Sequence, residues 1–329
     1  VKRSLTDSAG ASEKRIDPVL FGSILGIISA ALYTCSNICL KAAAHCDSFL
    51  VACMKAVPTV GVAIVMVALR LSRGKPLHLT PRLVLVLIGT GLIGQLLGNV
   101  GFQYALKYIG LALSVPLAFG TIIFGGTLLG KFWLGETITP RTYLAMFVLL
   151  LAVPILSLGA KRAEIAELPI PSNEVSVWLV VLGVTYALVS GLAYAWQGAV
   201  LRRMATSETP HSVTLLVISS TGVIVLSSIC LSGPELDKML ATEPRDFANM
   251  LWAGAFNAVG FFALTKTLEL IPVIHVNAIN ASQAAMAAVA GIAFFNEPLT
   301  PWLVTGVVLT VLGLLLIDRG KDAIAIDEV

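Results

Sequence analysis

Charged side chains are missing from long stretches of this chain. Charge-free runs cover 18–40, 83–106, 108–130, 142–160, 175–201, 209–234, 247–265, 270–296 and 298–317. A tenth run, 48–69, is broken only by Lys55. A transmembrane helix needs about 20 mostly apolar residues. The spacing therefore predicts ten spans in an all-α integral membrane protein, with little chain left over for a soluble catalytic domain. Composition agrees. Only 12% of residues are charged and 57% are hydrophobic, whereas a soluble domain carries about 25% charge. So apolar a chain is not disordered, and five cysteines in 329 residues are too few for a disulfide scaffold.

The charges between the runs orient the spans. Residues 1–17 are polar, carry Lys2, Arg3, Lys14 and Arg15, and hold no signal-like apolar core. They read as a cytoplasmic tail, with 319–329 as its counterpart at the other end. With the N-terminus inside, 15 Lys and Arg face the cytoplasm and 7 face the other side. The positive-inside bias thus predicts a multi-pass protein of the plasma (inner) membrane with both termini cytoplasmic.

A shift of 161 residues lays the sequence over itself. Ser29 meets Ser190, Tyr33 meets Tyr194, Lys41 meets Arg202, Glu136 meets Glu297, and Thr139-Pro140 meets Thr300-Pro301. One offset is expected from the first span to the last, defining two five-span repeats at 18–160 and 175–318. Five is odd, so the second copy enters the membrane upside down. Inverted repeats are common in transporters, with the substrate site near the midplane between the halves.

Each half ends alike: Leu134-Gly135-Glu136-Thr137-Ile138-Thr139-Pro140, then Phe295-Asn296-Glu297-Pro298-Leu299-Thr300-Pro301. Together with Tyr104-Ala105-Leu106-Lys107-Tyr108 before the fourth span, and Lys55 early in the second, this resembles the paired EamA-type domain of the drug/metabolite transporter superfamily. The resemblance covers roughly 20–318. It implies a ten-helix carrier of small metabolites with both termini inside.

Polar residues inside spans need partners or water. Gln95, Asn99 and Gln103 are four apart and share one helix stripe. Ser29, Tyr33 and Asn37 repeat that spacing. Ser190, Tyr194 and Gln197 form a similar stripe, as do Asn277, Asn280 and Gln283, and Asn257 stands in the eighth span. These side chains are expected to wall a hydrated cavity that binds substrate. The competing reading is interhelical hydrogen bonding, worth about 0.6 kcal/mol per contact on average. Lys55 lies about seven residues into its span, roughly 10 Å deep at the helical rise. It reads as an anchor for a carboxylate or phosphate, or as a lysine snorkelling to the interface. His275, near the start of the ninth span, is a candidate proton relay or a structural histidine. No carboxylate lies mid-span, so facilitated diffusion or exchange is as well supported as proton coupling.

Other motifs lead away from chemistry. Gly125-x4-Gly130-Lys131 lacks the Ser or Thr of a phosphate-binding loop and lies in an apolar span. Gly22-x3-Gly26, Gly94-x3-Gly98 and Gly126-x3-Gly130 read as surfaces for close helix packing. Cys35 and Cys39, with His45, Cys46 and Cys53 nearby, suggest a soft-metal site, but buried thiols also serve as small apolar residues. Neither a metal nor a cofactor is expected. The expected partners are a small-molecule substrate and the lipid bilayer, with a homodimer left open and no nucleic acid. The sequence thus predicts a secondary, non-ATP carrier rather than an enzyme. A structural or receptor-like helical bundle is the alternative, ahead of a membrane enzyme.

Overall fold

The computed structural model describes residues 17–135, 139–164, 177–205, 207–232, 234–295 and 300–316, and no strand occurs among them. The first helices are α1 (Pro18–Ala42), α2 (Ser48–Ser72), α3 (Pro81–Leu92), a π-helical stretch (Ile93–Val100), α4 (Gly101–Phe132) and α5 (Pro140–Glu164). They are followed by α6 (Val177–Ala205), α7 (His211–Cys230), the short α8 (Pro234–Leu240) and α9 (Pro244–Leu270). The last are α10 (Val273–Asn280), α11 (Ser282–Phe295) and α12 (Pro301–Leu316).

Six helical segments among the described residues are long and apolar enough to cross a membrane: 18–42, 48–72, 81–109, 181–205, 211–230 and 244–270. Leu117–Phe132, Pro140–Ala152 and Val304–Gly313 are shorter apolar helices. The expected run 270–296 is divided between α10 and α11. Glu136 and Glu297 lie outside the described residues, but both Thr-Pro pairs stand at helix starts, those of α5 and α12. Outward faces carry Leu85, Val65, Phe147 and Trp178, from 58% to 75% exposed. Such a belt suits lipid rather than water, and the chain is a multi-pass membrane protein.

Local chemistry starts the helices where charge reappears. The Asp17 carboxylate accepts from Val19 N, with Pro18 at the first helical position. Asp47 accepts from Phe49 N and Leu50 N at the start of α2. Thr80 caps α3 ahead of Pro81. Each cap satisfies amides that have no partner within the helix.

Contacts along α6 show that the chain doubles back within α4. Gly94 faces Gln197, Gly98 faces Tyr194, and Ile109 packs on Gly183, so the ascent is antiparallel to α6. Then Thr121 packs on Gly191 and Gly125 on Ala195, running parallel to it. These contacts bracket the reversal between Ile109 and Thr121, after the Tyr104–Tyr108 segment, within the stretch assigned to α4. α1 meets α9–α11 in the same manner. Ser29 Oγ donates to Gly260 O and Ser36 Oγ to Ala253 O, both at 2.8 Å, on the antiparallel side. Gly26 packs on Ile279, and Thr34 reaches Met286, on the parallel side. Here the turn is made openly. Ile271 is extended and Pro272 precedes α10. Pro272 has no N–H, which leaves Leu268 O without its helical donor. Buried Arg202 supplies one, through Nη1.

The expectation of one constant offset needs correction. Ser29 and Ser190, 161 apart, make matching bonds to Gly260 O and Gly98 O. Yet Gly254 approaches Lys55 O as Gly91 approaches Ile218 O, and both members of this match are displaced by 163. α6 continues two residues further than the offset implies before its turn. Between Gly91 and Gly98 the displacement falls from 163 to 162, and the π-helical stretch at 93–100 accounts for the step. A π turn is an α-helix carrying an inserted residue.

Candidate functional cavity

A cavity with about 1100 Å³ of empty volume, partly open to solvent, lies among α1, α2, the π-helical stretch, α4, α6, α7 and α9–α11. Ten of the twelve side chains expected at a substrate site line it. Tyr33 and Asn37 come from α1, Lys55 from α2, and Gln95 and Asn99 from the π-helical stretch. Tyr194 and Gln197 come from α6, Asn257 from α9, and Asn277 and Asn280 from α10. Two do not line it. Gln103 follows Phe102, which forms part of the wall, and is itself packed away at 2% exposure. His275 is half-buried one residue before Val276, where the lining from α10 begins.

Lys55 is buried and does not reach the surface. Its Nζ donates to Asn99 Oδ1 at 2.9 Å. The same oxygen accepts from the Tyr194 hydroxyl at 2.9 Å, and Asn99 Nδ2 donates to Gln95 Oε1 at 2.8 Å. One amide thus joins α2, the π-helical stretch and α6. An ammonium has three donors. Among the described residues Lys55 has one hydrogen-bond acceptor and no carboxylate within ion-pair reach. A buried cation without an anion costs several kcal/mol. Facing the cavity, it is the group best suited to attract an anionic ligand. Across the cavity, Asn277 Nδ2 is buried with no partner among the described residues, and Gln283 Nε2 donates weakly to Asn280 Oδ1 at 3.4 Å.

Glycines of facing helices seat these polar groups. A Cβ at Gly94 would lie 2.6 Å from Gln197 Oε1, and one at Gly98 would lie 2.9 Å from the Tyr194 ring. Gly222 leaves room for Gln95, and Gly126 for Asn277. This corrects the reading of Gly94-x3-Gly98 and of Gly126 as surfaces for backbone approach: the space is filled by polar side chains. Gly22 and Gly26 do serve close packing, against Leu270, Ile271 and Ile279.

Sequence reasoning missed part of the lining. Thr59 and Ser219 belong to no spaced polar stripe, and either could pass for a hydroxyl bonded to its own helix. Phe119 and Phe261 form apolar walls, and nothing in an apolar run separates a cavity phenylalanine from a lipid-facing one. The polar signal was legible because an amide in a span has few places to go.

Residues 181–318 match the model of the EamA-like transporter family. A solved structure, described only as the crystal structure of a protein, superposes with a TM-score of 0.68 at 17% identity. The superposition covers 90% of this chain and 95% of the other, and at that identity it speaks for the fold alone. No curated protein matches the sequence. The match makes this second part of the chain similar to the EamA-like transporter family.

Proposed function

We propose that the protein is a secondary, non-ATP carrier of small polar metabolites such as amino acids or other carboxylates. The observation that carries this reading is Lys55, buried at the cavity wall with no carboxylate partner among the described residues and with Asn99 as its one acceptor. The substrate's anionic group binds the ammonium, and the amides of Asn37, Gln197, Asn257, Asn277 and Asn280 bind its remaining polar groups.

The carrier works by alternating access between two inverted five-span repeats, 18–160 and 175–318, which rock about the cavity. Several features support the repeat: the matched bonds of Ser29 and Ser190, the matched approaches of Gly254 and Gly91, and the Thr-Pro starts of α5 and α12. The lining supports a site between the halves, since Asn99 of one and Tyr194 of the other share a hydrogen bond. The distribution of Lys and Arg supports a plasma-membrane protein with both termini in the cytoplasm.

Uptake into proteoliposomes tests the reading. The purified protein should move a labelled amino acid or another small carboxylate. Lys55→Gln should lower uptake of carboxylates at least tenfold and change that of matched neutral compounds about twofold at most. If the folded protein moves no polar metabolite, it is not such a carrier. Equal losses for charged and neutral compounds would remove Lys55 as the anion anchor.

A further inference from the structure

A second cluster of chemically active groups lies away from the cavity, in the turn between α1 and α2. His45 Nε2 is 3.0 Å from Asp246 Oδ2, at the start of α9, and 3.6 Å from Cys46 Sγ. All three donor atoms lie within 4.8 Å of one another. The set differs from the cysteine-rich group suggested by sequence. Cys35 and Cys39 are not part of it, and Asp246 comes from the other half of the chain.

The arrangement resembles a nucleophilic triad in residue type but not in geometry. In a triad the histidine bonds the nucleophile through one ring nitrogen and the acid through the other. Here both neighbours address the same nitrogen, Nε2. A proton cannot be relayed through the ring from one to the other. Three donor atoms within 4.8 Å of one another are instead spaced as ligands around one ion can be. A tetrahedral zinc ion with bonds of ~2.0 Å to nitrogen, ~2.1 Å to oxygen and ~2.3 Å to sulfur needs edges of ~3.3 Å between N and O and ~3.5 Å between N and S. The observed separations are within a few tenths of an ångström of these.

The His45 side chain is 67% exposed, so an ion can enter from solvent.

We infer that His45, Cys46 and Asp246 form a binding site for a divalent cation of the zinc class. Its fourth position is open to water, and it ties the α1–α2 turn to the start of α9. Three protein ligands of these types suit zinc or cobalt better than magnesium or calcium, which prefer all-oxygen shells. The bound ion would join the two halves of the chain at one end of the bundle, whether or not the cavity carries cargo.

Cobalt(II) added to the purified full-length protein should give an absorption band from thiolate-to-metal charge transfer, and zinc should abolish it. A variant lacking Cys35, Cys39, Cys53 and Cys230 should keep the band, and Cys46→Ser should lose it. His45→Ala, at an exposed side chain, should weaken cobalt binding at least tenfold and also serves if Cys46→Ser does not purify. No band in the folded wild type, a band that survives Cys46→Ser, or unchanged affinity in His45→Ala would each overturn the inference.

Discussion

Two glycines with similar surroundings have opposite consequences. A Cβ at Gly126 would collide with the end of the Asn277 side chain, which can swing away. A Cβ at Gly254 would lie 2.7 Å from Lys55 O and 2.8 Å from the Pro58 ring, and neither can move without its helix. Alanine is about 1 kcal/mol better than glycine inside a helix, while overpacking costs about 1–3 kcal/mol. Gly126→Ala should therefore melt within a degree or two of the parent and still lose most of its uptake, because Asn277 leaves the cavity. Gly254→Ala should lower Tm by several degrees. Thermal melting and uptake, measured on the same preparations, check both. A destabilised Gly126→Ala would mean that Asn277 is structural. Positions like these were only half legible in sequence. Glycine spacing marks a place where something comes close, but it does not say whether the visitor is a backbone or an amide.

The π-helical stretch sets which way its side chains face. Gln95 and Asn99 line the cavity, and Leu97 between them is 49% exposed on the outer face. A carboxylate at a lipid-facing position in a span costs about 2.5–3.5 kcal/mol, whereas one at position 99 would meet Lys55. Asn99→Asp should extract from membranes as a monodisperse protein at near-parental yield, and Leu97→Asp should not. The reverse ranking, read by size-exclusion chromatography, would turn the helix around. Helix existence was legible because charge is costly in lipid and so accumulates between spans. The starts after Asp17 and Asp47 were legible because a charge stands just before each run, whereas α3 starts at Pro81, two residues before the expected run, because its cap, Thr80, is uncharged. The π turn was not, since a single inserted residue leaves an apolar run looking unchanged. Its trace was a constant offset that should have slipped by one. Gln103 was misplaced for a related reason: spacing along a helix gives direction but not where the cavity ends.

The first helix of each half packs on the other half. α1 lies against α9–α11, and α6 lies against α3–α4. Neither half can bury its own first helix, so each should need the other. A chain cut between residues 170 and 171 and expressed as two tagged pieces should copurify as one complex. Either piece expressed alone should be degraded or aggregate. A stable, monodisperse N-terminal piece would show that α1 finds a partner within its own half. The same exchange orders events during synthesis. Ser29 and Ser36 wait for carbonyls 231 and 217 residues further along the chain. At about 5–20 residues per second, α1 spends about ten to fifty seconds in the bilayer before its partner has been translated. Over that interval its serine face is without the carbonyls it will bond and meets lipid, water, the insertion machinery or the helices made in between.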